Sequence, residues 1–122
     1  MTQEEELIRR YFDAFNRHDL DGVMACFHEQ PVLVNGEGRR VEGHDAVRGN
    51  YAAGFALMPD SHCDLKVATG NSGRAVAESF FHGTRQDSGK VTEAMGAEVM
   101  EIVDGKIKEI RDYHRPLPAK AA

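Results

Sequence analysis

The sequence predicts an α+β fold, three short helices packed on a curved antiparallel sheet that encloses a small-molecule pocket. Three observations predict it. Apolar residues recur at helical spacing through the first half of the chain, and the second half alternates with period two between turn signals. The segment Val91 to Val103 also carries apolar residues on both of its faces, so both sides of that strand need cover. Helices first and an antiparallel meander afterwards place the helices on one face of a sheet.

Thr2 followed by Glu5 makes a capping box, and Leu7, Ile8, Tyr11, Phe12 and Phe15 then mark a first helix to about Asn16. Asp19 caps a second, whose Leu20, Val23, Met24 and Phe27 line one face before Pro31. A short strand at Pro31 to Asn35 leads into the turn Gly36-Glu37-Gly38. After Gly43, Val47, Tyr51, Phe55 and Met58 define a third helix that Pro59 stops. Strands are expected at His62 to Thr69, Ala75 to Arg85, Val91 to Val103 and Lys106 to His114, and Asp104-Gly105 is the strongest hairpin signal. One domain over residues 1–115 is expected, with 116–122 as a flexible C-terminal tail.

A length of 122 residues suits one hydrophobic core. The net charge of −5 comes from interspersed acids and bases, without the cationic footprint a phosphate backbone requires, so nucleic acid is not an expected partner. No apolar run approaches the ~20 residues that span a bilayer, and the opening Met1-Thr2-Gln3-Glu4-Glu5-Glu6 does not read as a signal; no membrane partner and a cytoplasmic location are the expectations. The two cysteines, Cys26 and Cys63, lie far apart and read as reduced, partly buried thiols. None of the six histidines pairs as HxH or HxxxH, and Gly36-Glu37-Gly38 lacks a third glycine, so neither a metal nor a nucleotide cofactor is expected.

Glu98 interrupts an otherwise apolar strand, where burial would raise its carboxyl pKa and keep it protonated to donate a hydrogen bond; a carboxylate paired with a core arginine or set at a sheet edge is the alternative. Ala94, Gly96 and Glu98 share a face with Met100 and Ile102, and the small residues leave space beside the acid. Tyr11, mid-helix among apolar residues, needs a partner for its hydroxyl, from the pocket or from a backbone carbonyl. Asp112 and His114 fall on one face of the last strand and suit general acid or base chemistry, unless both are simply exposed. The expected pocket lining is Phe15, Tyr51, Phe55 and Met58 from the helices. Asn35, Phe81, Met100 and Ile110 are expected from the strands. The opposite sheet face, with Phe80, Met95, Ala97 and Val99, predicts a homodimer.

The stretches Arg10-Tyr11-Phe12-Asp13-Ala14-Phe15-Asn16, His18-Asp19-Leu20-Asp21-Gly22-Val23, Val41-Glu42-Gly43-His44-Asp45-Ala46-Val47-Arg48, Pro59-Asp60 and Asp104-Gly105-Lys106-Ile107, with Phe27, resemble the nuclear transport factor 2-like superfamily over residues 5–114. The likeness is greatest to its ketosteroid isomerase and SnoaL-like polyketide cyclase branches. The resemblance implies a cone of curved sheet and three helices, often dimeric, with a mostly apolar cavity at its mouth. It implies that Tyr11 stabilises an oxyanion and that Glu98 stands where ketosteroid isomerases place a protonated aspartic acid. Their general-base aspartate falls on Asn35, an amide, and Asp112 is similar in position to the acid/base aspartate of the cyclases. The expected function is a cofactor-independent proton-transfer enzyme of isomerase, cyclase or dehydratase type acting on a small apolar carbonyl compound. A non-catalytic ligand-binding or dimerisation module of the same fold is the alternative.

Overall fold

The computed structural model describes residues 1–118. Helix α1 (Gln3–Asn16) begins at the expected capping box, with Glu5 N donating to Thr2 Oγ1 and the Glu5 carboxylate accepting from Thr2 N. Thr2 also donates to Gly70 O at 2.8 Å, which docks the helix start on the sheet; a Cβ on Gly70 would come within 2.6 Å of the Glu4 Cβ. Helix α2 (Leu20–Ala25) is capped by Asp19, and helix α3 (His44–Leu57) follows Gly43, whose φ of 96° favours glycine.

The strands are β1 (Phe27–Val34), β2 (Arg40–Glu42), β3 (His62–Asn71), β4 (Arg74–Thr84), β5 (Val91–Val103), β6 (Lys106–Asp112) and β7 (Arg115–Pro116). The sheet order is β2-β1-β6-β5-β4-β3, with β7 continuing along β5. β3 to β6 form the expected meander. Two of its connections are two-residue turns, Ser72-Gly73 and Asp104-Gly105, with positive φ at both positions, the geometry that matches strand twist.

Two differences from the sequence reading have a common cause. β1 pairs with β6 in parallel, so the sheet is mixed, and Phe27 opens β1 instead of closing α2. Both follow from a contact about eighty residues long in sequence, Phe27 opposite Ile107, which local periodicity cannot see. Irregular register between Phe27 and Val32, Leu65 and Val67, and Glu101 and Ile102 supplies bulges that curve the sheet around the helices. The first residues of the expected tail are held on β5. Arg115 and Pro116 pair with Met95 and Ala94, Leu117 N donates to Glu93 O, and residues 119–122 lie outside the described residues.

The concave face of the sheet and the helices share one core, with Ile8, Val23, Val47, Met100 and Ile107 fully enclosed. The convex face holds Val76 opposite Val99 and Phe80 opposite Met95, beside Arg111, which bonds both Glu101 and Glu109. Val76 and Met95 are 41% and 45% exposed. Among the described residues no helix is long and apolar enough to cross a membrane.

Gly96 is where backbone meets backbone. A Cβ there would lie 2.3 Å from Tyr113 O and 2.7 Å from His114 Cα, a distance no flexible side-chain end can relieve. Gly96→Ala is therefore expected to push the 113–114 segment off β5 and to cost about 1–3 kcal/mol of stability, read as a lower urea midpoint. An unchanged midpoint would show that the segment yields freely.

Candidate functional site

Residues from all three parts of the chain meet around a cavity of about 330 Å³ between the helices and the concave face. Its apolar walls include Phe12, Phe15, Leu33, Phe55, Phe81 and Ile110, with Met58 beside them. The aromatic rings brace one another: Phe15 lies 5.3 Å from Phe55, and His18 stacks on Phe55 at 4.5 Å while its Nε2 bonds Ser61. Of the expected lining residues one is misplaced. Met100 is fully buried in the core and is not among the residues that line the cavity.

The polar groups form two clusters. In the first, Tyr11 and Tyr51, from α1 and α3, share a 2.6 Å hydrogen bond between hydroxyls. One hydroxyl proton is used in that bond, which leaves the other for a third partner. Burial, first of all, pushes both phenols above their ordinary range, so both keep their protons. Tyr11 thus satisfies its hydroxyl on another side chain and not on Glu98.

The second cluster runs along β4, β5 and the end of β6. Asp112 stands opposite Glu98 in register, and His114 comes inward two residues later, as strand alternation predicts. The Asp112 Oδ1 lies 2.6 Å from His114 Nδ1 and also accepts the His114 backbone N–H at 2.8 Å. On the far side of the ring, Nε2 is 2.8 Å from Ser79 Oγ and 3.4 Å from Glu98 Oε1. Ser79 Oγ donates to Glu98 Oε1 at 2.8 Å. With the imidazole doubly protonated, every bond is satisfied: His114 donates through Nδ1 to Asp112 and through Nε2 to Ser79 Oγ, which in turn donates to Glu98.

Burial raises the Glu98 carboxyl to about 7, against the opposing pull of His114 and Ser79. For His114 burial acts downward, but hydrogen bonds to Asp112 and Cys63 and the nearby carboxylates outweigh it and hold the imidazolium to about 10. The expected elevation of Glu98 is therefore present, and its neighbour is a cation that the sequence order hid. His114, beside the Asp112 carboxylate, carries its proton at neutral pH and acts as a donor.

Asn35 lines the rim, but its Oδ1 accepts from Glu37 N at 3.0 Å and Arg39 N at 2.9 Å, which fixes the β1–β2 turn. Sequence reasoning missed three contributors. Ser79 was visible as an inward residue of its strand, and only hairpin register brings it to Glu98. The helical spacing puts Tyr51 in the lining but does not give its hydroxyl partner, and Cys63 reads from sequence only as a reduced, partly buried thiol. Cys63, Glu98 and His114 have potential donor atoms within 4.8 Å of one another. A cation there would have to displace Ser79 or Asp112 from His114, since both ring nitrogens are hydrogen-bonded.

Residues 8–110 match the family model of the SnoaL-like domain. No curated protein sequence matches. Among solved structures of the same fold, a protein from Jannaschia sp. CCS1 described as a SnoaL-like polyketide cyclase superposes with a TM-score of 0.81 at 18% identity, over 93% of this chain and 85% of that one. A Mycobacterium tuberculosis protein in complex with estradiol-17beta-hemisuccinate gives 0.80 at 16% identity, over 93% and 94%. A Catenulispora acidiphila protein with a ketosteroid isomerase-like fold, in complex with trimethylamine, gives 0.80 at 16% identity, over 88% and 84%.

The two titrating groups set an expected pH dependence. Glu98 has a folded pKa above its ordinary 4.5, so its stabilising contribution is fully present below 4.5 and is lost as pH rises through about 7. That difference corresponds to roughly 3 kcal/mol. His114, raised from 6.5 to about 10, contributes fully below 6.5 and loses its contribution as pH rises through about 10. Urea unfolding across this range should show stability falling with pH, and Glu98→Gln should flatten the acid part of the fall. A wild-type stability that rises between pH 5 and 7 would rule out the raised Glu98.

Proposed function

The chain belongs to the SnoaL-like domain family, and from that premise we propose that it is a proton-transfer enzyme of isomerase, cyclase or dehydratase type acting on a small, largely apolar carbonyl compound. The observation that carries this reading is a carboxyl titrating near 7 inside an apolar cavity, joined by hydrogen bonds through Ser79 and His114 to Asp112 at the rim. A group with that pKa both takes and returns a proton at neutral pH. The like fold of a steroid-derivative complex supports an apolar ligand of several rings or a similar flat shape.

Under this reading the substrate carbonyl accepts the free hydroxyl proton of the Tyr11–Tyr51 pair. The ionised Glu98 carboxylate removes a proton from the adjacent carbon. Charge then develops on the carbonyl oxygen, where a phenol that keeps its proton stabilises it without giving it up. The imidazolium of His114 stabilises the carboxylate between turnovers, and protonated Glu98 returns the proton to another carbon or to a leaving group. The roles expected from sequence are thus partly exchanged, with Glu98 moving the proton and Tyr51 joining Tyr11 as donor.

A binding module without chemistry is favoured by one observation: the amide at Asn35, where the family resemblance expects a base, is spent on a turn. A panel of β,γ-unsaturated ketones, including a 3-oxo-Δ5-steroid, separates the two. Conjugation followed by absorbance should proceed with wild-type protein and fall about 10²–10⁴-fold in Glu98→Gln, with a smaller loss in Tyr11→Phe. Ligand binding without turnover by the wild type would leave the binding module.

We also propose that the convex face pairs two copies of the chain, since Val76, Phe80, Met95 and Val99 form an apolar strip flanked by the Arg111 ion pairs. Sedimentation is expected at twice the chain mass, and Met95→Lys should halve it. A monomeric wild type at micromolar concentration would dispose of the pairing.

A further inference from the structure

The proton-transfer reading leaves one nucleophile in the cavity without a task. Cys63 lines the cavity from β3, and its Sγ, a ring nitrogen of His114 and a carboxylate oxygen of Glu98 all lie within 4.8 Å of one another. Its backbone is clamped on both sides by Asn16, the last residue of α1, which accepts from Cys63 N at 2.7 Å and donates to Cys63 O at 2.9 Å. The backbone that carries the thiol is therefore fixed. The ring beside it is oriented by the 2.6 Å contact between Nδ1 and Asp112. An imidazolium that a carboxylate holds in place beside a thiol supplies a fixed cation to the thiolate as it forms.

We propose that Cys63, His114 and Asp112 form a second reactive centre in the same cavity, which captures α,β-unsaturated carbonyl compounds as covalent thioethers. The carbonyl oxygen sits at the Tyr11–Tyr51 hydroxyls while Cys63 Sγ attacks the β-carbon. A carbon–sulfur bond forms, the carbon–carbon π pair moves to the carbonyl oxygen as an enolate, and the thiol proton passes to the ionised Glu98 carboxylate. Glu98 then delivers that proton to the α-carbon. One S–H bond and one π bond are broken, one C–S and one C–H bond are made, and no oxidant or further reactant enters. His114 keeps its proton throughout and stabilises the thiolate as it forms.

Cys26 provides an internal control. It is buried in the helical layer away from the cavity, its Sγ faces Gly22 O at 3.6 Å, and burial pushes its thiol up from the ordinary value. Both cysteines are almost fully enclosed, so accessibility at the outer surface does not distinguish them; only the cavity does.

The test is incubation of the full chain with 2-cyclohexen-1-one at neutral pH, followed by intact mass and peptide mapping. One adduct per chain is expected, on Cys63, at least about tenfold faster than on Cys26. Cys63→Ser should abolish it, Cys26→Ser should leave it, and His114→Gln should slow it by about tenfold or more. Because His114→Gln also removes a structural contact, the wild-type rate between pH 8 and pH 6 serves as a second measurement. A thiol without a partner loses about tenfold per pH unit over that range, whereas the one whose proton passes to Glu98 should lose about tenfold in all, as that carboxylate is protonated through about 7. Absence of an adduct, equal labelling of Cys26, or a hundredfold fall over the two pH units would overturn the proposal. Adduct formation is read by mass and not by turnover, so this result stands apart from the ketone assay on Glu98.

Discussion

The contact between Glu98 and the Asp112–His114 pair is the constraint around which the concave face is arranged. A carboxyl at the centre of a sheet loses its hydration, and it survives there because a cation and a hydroxyl reach it from two neighbouring strands. That requirement fixes several features that otherwise look unrelated. β6 must stop pairing regularly at Asp112 so that the His114 N–H can turn back to the Asp112 carboxylate. Gly96 must lack a side chain so that the same segment can lie against β5. β7 must then resume the ladder to hold the segment down.

How legible this was follows from the range of each interaction. The capping box, the α1 and α3 faces and the Asp104-Gly105 hairpin are local, and the residues that make them stand within a few positions of one another. β5 was legible at both ends because its apolar pattern is long and bounded by turn residues. The parallel β1–β6 pair, by contrast, is closed only by the whole intervening fold. The site divides the same way. Glu98 stood out as an acid among apolar neighbours, and Asp112 with His114 stood out by alternation along one strand. Ser79, Cys63 and the hydroxyl of Tyr51 had ordinary sequence surroundings, and their importance arises from register between strands and from the meeting of Tyr51 with Tyr11.

The same register separates two electrostatic systems that share one strand. On β6, Glu109 and Arg111 point outward, where Arg111 pairs with both Glu109 and Glu101, while Ile110 and Asp112 point inward to the core and the cavity. The outer groups are partly solvated, and their pairing contributes modestly to stability. The inner ones are largely removed from water, so each change there alters the proton affinity of the others.

A slip of one residue between β5 and β6 would exchange these two sets. Arg111 would enter the apolar cavity and Asp112 would face the convex side, and neither would find its partner. The bulge between Glu101 and Ile102 makes such a slip geometrically accessible, because it already absorbs one irregular step in the ladder. What opposes it is the combined demand of both faces: the triad of Glu101, Glu109 and Arg111 outside, and Glu98 with its cation inside. The outer ion pairs therefore matter less for the energy they add than for the register they specify, and that register is what delivers His114 to the cavity.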